Sequence, residues 1–199
     1  MKLIETIQLK IENKKWKIEN FNYHLQRVQK SFEYFKWKFN KKEWEDLKWK
    51  MENKKWKNEK IRVRVIYCKN GIESVEIFPI KKRDFKKFKI VYSDINYNFK
   101  YLNREKLNSL KKSNFDEIII VKNSLITDTT ISNIAFFDGK IWLTPKYPLL
   151  KGTKREELIK KGILKTENIH TSDLKYFKKI ALINAILGFY IIDKFDIVA

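Results

Sequence analysis

Residue types that commonly carry chemistry are scarce in this chain. Cys68 is the single cysteine and His24 and His170 are the two histidines, with no HxxxH or CxxC spacing. Neither a thiolate cluster nor a dedicated zinc site is expected, and a reducing compartment is the default. Polar groups nevertheless fall together in a few places. His24, Arg27 and Ser31 stand at i, i+3 and i+7, on one face of a helix. Asp128 follows a β-like run and is itself followed by Ser132 and Asn133, and Gly152-Thr153-Lys154 leads from a loop into a short helix that Gly162 stops. Lys100 is one of 38 lysines, placed after the extended Tyr97-Asn98-Phe99 and before a helix. An amine is a nucleophile or base only where its surroundings keep it deprotonated near neutral pH.

Those residues need elements to hold them, and the pattern along the chain supplies a set. Residues 2–9 alternate as a strand, 11–15 read as a hairpin turn, and 16–18 begin a return strand. Asn22 is placed to cap a helix over 23–36. Residues 36–60 hold ten Lys against five acids, and Trp44, Leu47 and Met51 form one helical stripe, so this is an amphipathic helix with a solvated Lys face. Strands over 61–68 and 72–80 meet at Asn70-Gly71, a dipeptide suited to positive φ. A strand over 88–92 and a helix over 103–112 follow, then β-structure to Thr144 with turns at 122–124 and at Asp138-Gly139. A helix over 172–179 and a final strand at 182–185 close the pattern. The expected class is α/β (α+β) in two lobes, residues 1–95 and 96–199, the second carrying Lys100.

Composition narrows the partners. Lys plus Arg number 44 against 24 Asp plus Glu, for a net charge of +20, but six of the 44 are Arg. Nucleic-acid readers lean on the planar Arg fork, and evenly spread Lys is a weaker sign, so no nucleic acid is expected as partner. The start, MKLIETIQLKIENKK, has no long apolar core of a signal peptide, and the apolar run 180–192 is too short to span a bilayer. No membrane partner is expected and the location is cytoplasmic.

The order of motifs resembles the class IV aminotransferase-like enzymes, which bind pyridoxal 5'-phosphate. The matching blocks are IETIQL, HLQRVQKS (24–31), FKYLNR (99–104), DEIIIVKNSLITDTTISNIAFFDGKIWLTP (116–145), LLKGTKREELIKKG (149–162) and INA (183–185), collinear over nearly the whole chain. The resemblance implies the two-lobe class IV fold and a homodimer. It makes Lys100 the lysine that joins the cofactor as a Schiff base, and Asp128 the acid that pairs with the pyridine nitrogen and keeps the ring an electron sink. It places the cofactor phosphate where Gly152, Thr153 and Lys154 enter a helix, whose N-terminal amides favour a dianion. Arg27 is implied as a bidentate clamp on that phosphate, and Asn184 and Ala185 as the last phosphate-side turn. Asn133 is expected to brace its loop.

Three departures stand out. The family usually has Glu where this chain has Asp128, and Gly-aliphatic-Thr-Arg where this chain has Gly-Thr-Lys-Arg. An extra strand and a Gly-Asp-Gly turn that normally precede the Glu-Thr step are missing, which implies a shortened N-terminal lobe. Within the family the blocks look most like 4-amino-4-deoxychorismate lyases, which release pyruvate and 4-aminobenzoate in folate precursor synthesis. There Lys100 would take the substrate α-proton as general base, and the chain could pair with an aminodeoxychorismate synthase. A class IV aminotransferase on branched-chain or D-amino acids is the second reading. A basic nucleic-acid or membrane-surface binding protein built on residues 36–60 is the third.

Overall fold

The computed structural model describes residues 1–111 and 114–198, and the chain divides into two units. The first comprises residues 1–82 and 99–103, the second residues 83–98 and 104–198.

In the first unit, alternation in the opening residues produces strand β1 (Leu3–Glu12), which buries Leu3, Glu5, Ile7 and Leu9 on one face. Asn13 and Lys14 both have positive φ, 51° and 61°, the signature of the tight primed turn that returns the chain as β2 (Lys15–Ile18). Helix α1 (Phe21–Tyr34) starts two residues earlier than expected, with Asn20 in the cap position in place of Asn22 and its O accepting from Tyr23 N and His24 N. Helix α2 (Lys41–Asn53) is amphipathic as read, with Trp44 and Leu47 buried. Strands β3 (Lys60–Cys68) and β4 (Gly71–Pro79) complete an antiparallel sheet in the order β2-β1-β3-β4. At the 70–71 turn only Gly71 has positive φ, 99°, and a Cβ there would stand 2.6 Å from Glu43 Oε2. Glu43 Oε1 takes the Ile72 amide at 2.9 Å, so a helix side chain, in place of paired positive φ angles, shapes that turn.

Residues 99–103 also belong to this unit. Ile4 N donates to Lys100 O at 2.9 Å and Leu102 N to Lys2 O at 3.1 Å, on either side of an antiparallel bridge between Leu3 and Tyr101. Lys100, expected in a lobe of residues 96–199, is held by hydrogen bonds to β1 and groups with residues 1–82. The core here is Leu3, Ile7, Val28, Phe32, Trp44 and Tyr67, with Phe99 and Tyr101 packed against it.

The second unit holds two sheets. Strand β5 (Lys87–Tyr92) pairs in parallel with β6 (Glu117–Lys122), which returns through Asn123 and Ser124, both at positive φ, as β7 (Leu125–Ile126). On the other side of β5 lies β13 (Asp196–Val198), also parallel. The five-stranded sheet runs β10-β9-β8-β11-β12, from β8 (Asn133–Phe137), β9 (Trp142–Pro145), β10 (Leu164–Glu167), β11 (Lys179–Asn184) and β12 (Gly188–Ile192). Phe88, Ile119, Ile126, Phe136, Ile180 and Leu182 from the two sheets meet in one core.

The helix expected over 103–112 is one short turn, α3 (Glu105–Asn108); its expected end at Lys112 lies outside the described residues. The helix expected over 172–179 is a 3-10 turn (Thr171–Tyr176), and β11 begins three residues later, at Lys179. Because β11 is flanked by β8 and β12 and its residues 180–183 are buried on both faces, it reads as a continuous apolar run without alternation. Helix α4 (Thr153–Lys160) crosses from β9 to the parallel β10. The fold is mixed α/β, and no described helix is long and apolar enough to cross a membrane.

Candidate functional site

The residues singled out in the sequence fall into two groups, one in each unit. In the first, α1 carries His24 and Arg27 over the buried face of β1, where Glu5 sits with no solvent exposure. His24 Nδ1 lies 2.5 Å from Glu5 Oε2. Arg27 Nε donates to Glu5 Oε1 at 2.9 Å and its Nη2 to Oε2 at 2.6 Å. The bidentate grip expected of Arg27 on a phosphate is thus matched here by one on a carboxylate. Burial pushes the Glu5 carboxyl up, but Arg27 and His24 outweigh it and hold it down at about 2. Burial lowers His24 in spite of its bond to Glu5, with the charges of Arg27 and Lys100 adding to the effect. A neutral imidazole facing an ionised carboxylate must carry its hydrogen on Nδ1, since the carboxylate only accepts.

Ser31 Oγ donates to Arg27 O at 3.0 Å, which ties the third member of the predicted face to the helix backbone. Tyr67 of β3 adds a buried hydroxyl, pushed up by burial and by Glu5 and hydrogen-bonded with Ser31. Lys100 is half-buried, its peptide fixed to β1 next to Glu5. Sequence reasoning missed Glu5. The signal was available: an acid at the i+2 position of the apolar series Leu3, Ile7, Leu9 needs a buried partner.

In the second unit, Asp128 is 4% exposed, in the tight connection from β7 to β8. Its Oδ1 accepts from Asn133 Nδ2 at 2.7 Å and its Oδ2 from Leu150 N at 2.9 Å. Burial raises this carboxyl to about 7, outweighing the bonds from Asn133 and the Leu150 amide and the charge of Arg155, which all act to lower it. The connection is braced twice. Thr129 Oγ1 takes the Ser132 amide at 3.0 Å, and Thr130 donates through its amide and hydroxyl to the buried Glu117 at 3.2 and 2.7 Å. Arg104 donates to Thr130 O and stands over the Tyr97 ring.

The loop entering α4 lies against this connection. Asn133 Nδ2 also donates to Leu150 O at 2.8 Å. A Cβ on Gly152 would lie 2.0 Å from Asn133 Oδ1, so only glycine fits, although its φ of −75° is ordinary. Gly152 caps α4, and the bond from Glu156 N to Gly152 O opens the helix ladder. Thr153 is buried, and Lys154 Nζ pairs with Glu157 at 2.8 Å. Arg155 points inward and donates to Pro145 O at 2.7 Å. Asn184 Nδ2 donates to Ile131 O at 3.2 Å and its Oδ1 takes the amides of Ile186 and Leu187, so it braces the turn that begins at Ala185. The structure therefore brings Asp128, Asn133, Gly152 and Asn184 onto neighbouring backbone, and separately joins Arg27 to Glu5 and His24.

Comparisons with known proteins bear on the family. The profile of the family described as amino-transferase class IV matches residues 2–195. An uncharacterised protein of Haemophilus influenzae is 34% identical over 189 residues, spanning 94% of this chain and 98% of its own. The crystal structure of a candidate 4-amino-4-deoxychorismate lyase from Haemophilus somnus 129PT is 30% identical, with a TM-score of 0.81 over 94% of this chain and 97% of its own. A hypothetical aminotransferase from Mycobacterium tuberculosis, in its PLP-bound form, shares the fold at 16% identity and a TM-score of 0.80, covering 98% of this chain and 81% of its own. The chain belongs to the class IV amino-transferase family, enzymes that depend on pyridoxal 5'-phosphate.

Proposed function

We propose that the protein is a 4-amino-4-deoxychorismate lyase that releases 4-aminobenzoate and pyruvate. The observation that carries this reading is the 30% identity to the Haemophilus somnus protein over almost the full length of both chains.

The donor set suits the cofactor. Asp128 is a buried carboxyl whose pKa of about 7 marks a shortage of facing positive charge, which a protonated ring nitrogen would make good. Gly152 caps α4, and the N-terminal end of a helix dipole favours an anion. Asp128 would hold the ring nitrogen, and Gly152, Thr153 and Lys154 the phosphate. Asn184 and Ala185 would steady the adjoining turn, and Arg27, its plane fixed by Glu5, would add positive charge. Bound pyridoxal 5'-phosphate supplies an electron sink at the substrate α-carbon. Lys100 Nζ takes the α-proton as general base, and gain of aromaticity in the ring favours loss of pyruvate.

The test is direct. Purified protein should show a visible cofactor band that borohydride bleaches and fixes to Lys100, and Lys100→Ala should lose both the band and pyruvate release from aminodeoxychorismate. Amino-group transfer to a 2-oxo acid without pyruvate release would move the assignment to the aminotransferase reading, which the shared fold with the Mycobacterium tuberculosis protein keeps as the alternative. The lyase reading carries with it a homodimer and a supply of substrate from a synthase; gel filtration and co-assay with such a synthase test these.

A further inference from the structure

We infer that Asn133 is a positioning residue that couples the acid at 128 to the start of α4, so that one side chain sets the grip on both ends of the cofactor. The inference rests on the assignment of Asp128 and residues 152–154 proposed above.

The geometry is a closed ring of three hydrogen bonds. One Asn133 Nδ2 hydrogen goes to Asp128 Oδ1 at 2.7 Å and the other to Leu150 O at 2.8 Å, while Leu150 N returns to Asp128 Oδ2 at 2.9 Å. An amide nitrogen has two hydrogens, and both are spent in this ring. The remaining polar atom of the side chain, Oδ1, occupies the space that a Cβ on Gly152 would need. Asn133 therefore touches the acid through its donor end and the helix cap through its acceptor end. Its own backbone is fixed at the first residue of β8, paired through Asn133 with Ile183 of β11, next to Asn184. A shift of the carboxylate pulls on the Leu150 peptide, two residues before the cap, and a shift of the cap presses on the amide that holds the carboxylate. In a buried site such a network behaves as a unit, and its parts are not additive.

The consequence is testable in two independent ways. In the holoenzyme, Asp128→Asn should alter the visible band and also move the phosphorus resonance of the bound cofactor. In an Asn133→Ala background the same substitution should still alter the band but leave the phosphorus resonance where Asn133→Ala alone had put it. An equal resonance shift in both backgrounds overturns the coupling. The second arm reads folding. Gly152→Ala should lower the melting midpoint in the native background and lower it much less beside Asn133→Ala, where the opposing Oδ1 is gone; equal losses overturn the contact. Should Asn133→Ala fail to fold, Asn133→Ser replaces it in both arms. An unchanged visible band in Asp128→Asn would instead sink the assignment of Asp128 to the ring nitrogen, while the melting cycle with Gly152→Ala still decides the coupling.

Discussion

Two buried carboxyls, one in each unit, have opposite fates. Glu5 and Asp128 are 0% and 4% exposed, yet the first is held down at about 2 and the second is pushed up to about 7. Burial raises both. The difference lies in what faces them: Glu5 meets two guanidinium nitrogens and an imidazole N–H, whereas Asp128 meets dipoles, and Arg155 sends its own donors to Pro145 O and Glu156. A carboxyl already supplied with a cation belongs to the scaffold, and one left short of a cation suits a site that receives one. Solvent exclusion alone does not tell these apart; the formal charge of the neighbours does.

The largest test of the contrast is pH dependence in protein freed of cofactor. The folded pKa of Asp128 lies above its ordinary 3.8, so the folded state binds the proton more tightly than the unfolded one. Stability should then fall as pH rises from about 4 to about 7, by on the order of 4 kcal/mol. Asp128→Asn should flatten this slope in thermal melts, and a variant that keeps it would break the comparison. Glu5 tilts the other way. Its folded pKa lies below the ordinary 4.5, so its contribution is in force above that pH and is lost as pH falls toward 2. Arg27→Met strips the partner from a buried charge and should cost about 3 kcal/mol near neutral pH. It should also move the acid-side loss to higher pH, since the carboxyl rises when its guanidinium is gone. The smallest effect belongs to His24→Gln, which keeps a donor near Glu5 Oε2 and should cost about 1 kcal/mol. Chemical denaturation of the three variants in one buffer series orders them; a His24→Gln loss larger than that of Arg27→Met would show the imidazole, and not the guanidinium, to be the main counterpart of Glu5.

Much of this architecture was legible because it is local. The β1–β2 and β3–β4 hairpins, α1, α2 and the helix entered at Gly152 all carry their signals within a few residues of the place they form. What could not be read depends on distant partners. Strand β13 exists because residues 87–89 offer an edge, and β10 has one buried residue, Leu164, to announce it. The run around Ser172 to Lys179 has the polarity of a helix end, but its tail is drawn into a sheet beside β8. The site divides in the same way. Gly152 at a helix start is visible in the chain, while the reason it must be glycine, an Asn133 oxygen, comes from another strand. Glu5 shows as an acid in an apolar series, but that Arg27 and His24 would both turn to it is a property of how α1 lies on β1.

The parallel seat of β13 on β5 has a consequence in time. A chain made from its N-terminus presents β5 long before residues 196–198 exist, so one side of that strand waits, with its amides and carbonyls unpaired, until they emerge. An open edge in a nascent chain is an invitation to pair with a neighbour's. Lys86, Lys87 and Lys89 line that stretch, and Lys81 and Lys82 precede it. Part of the large lysine excess, which does little for the chemistry, therefore falls where charge keeps an unfinished sheet from joining the wrong partner.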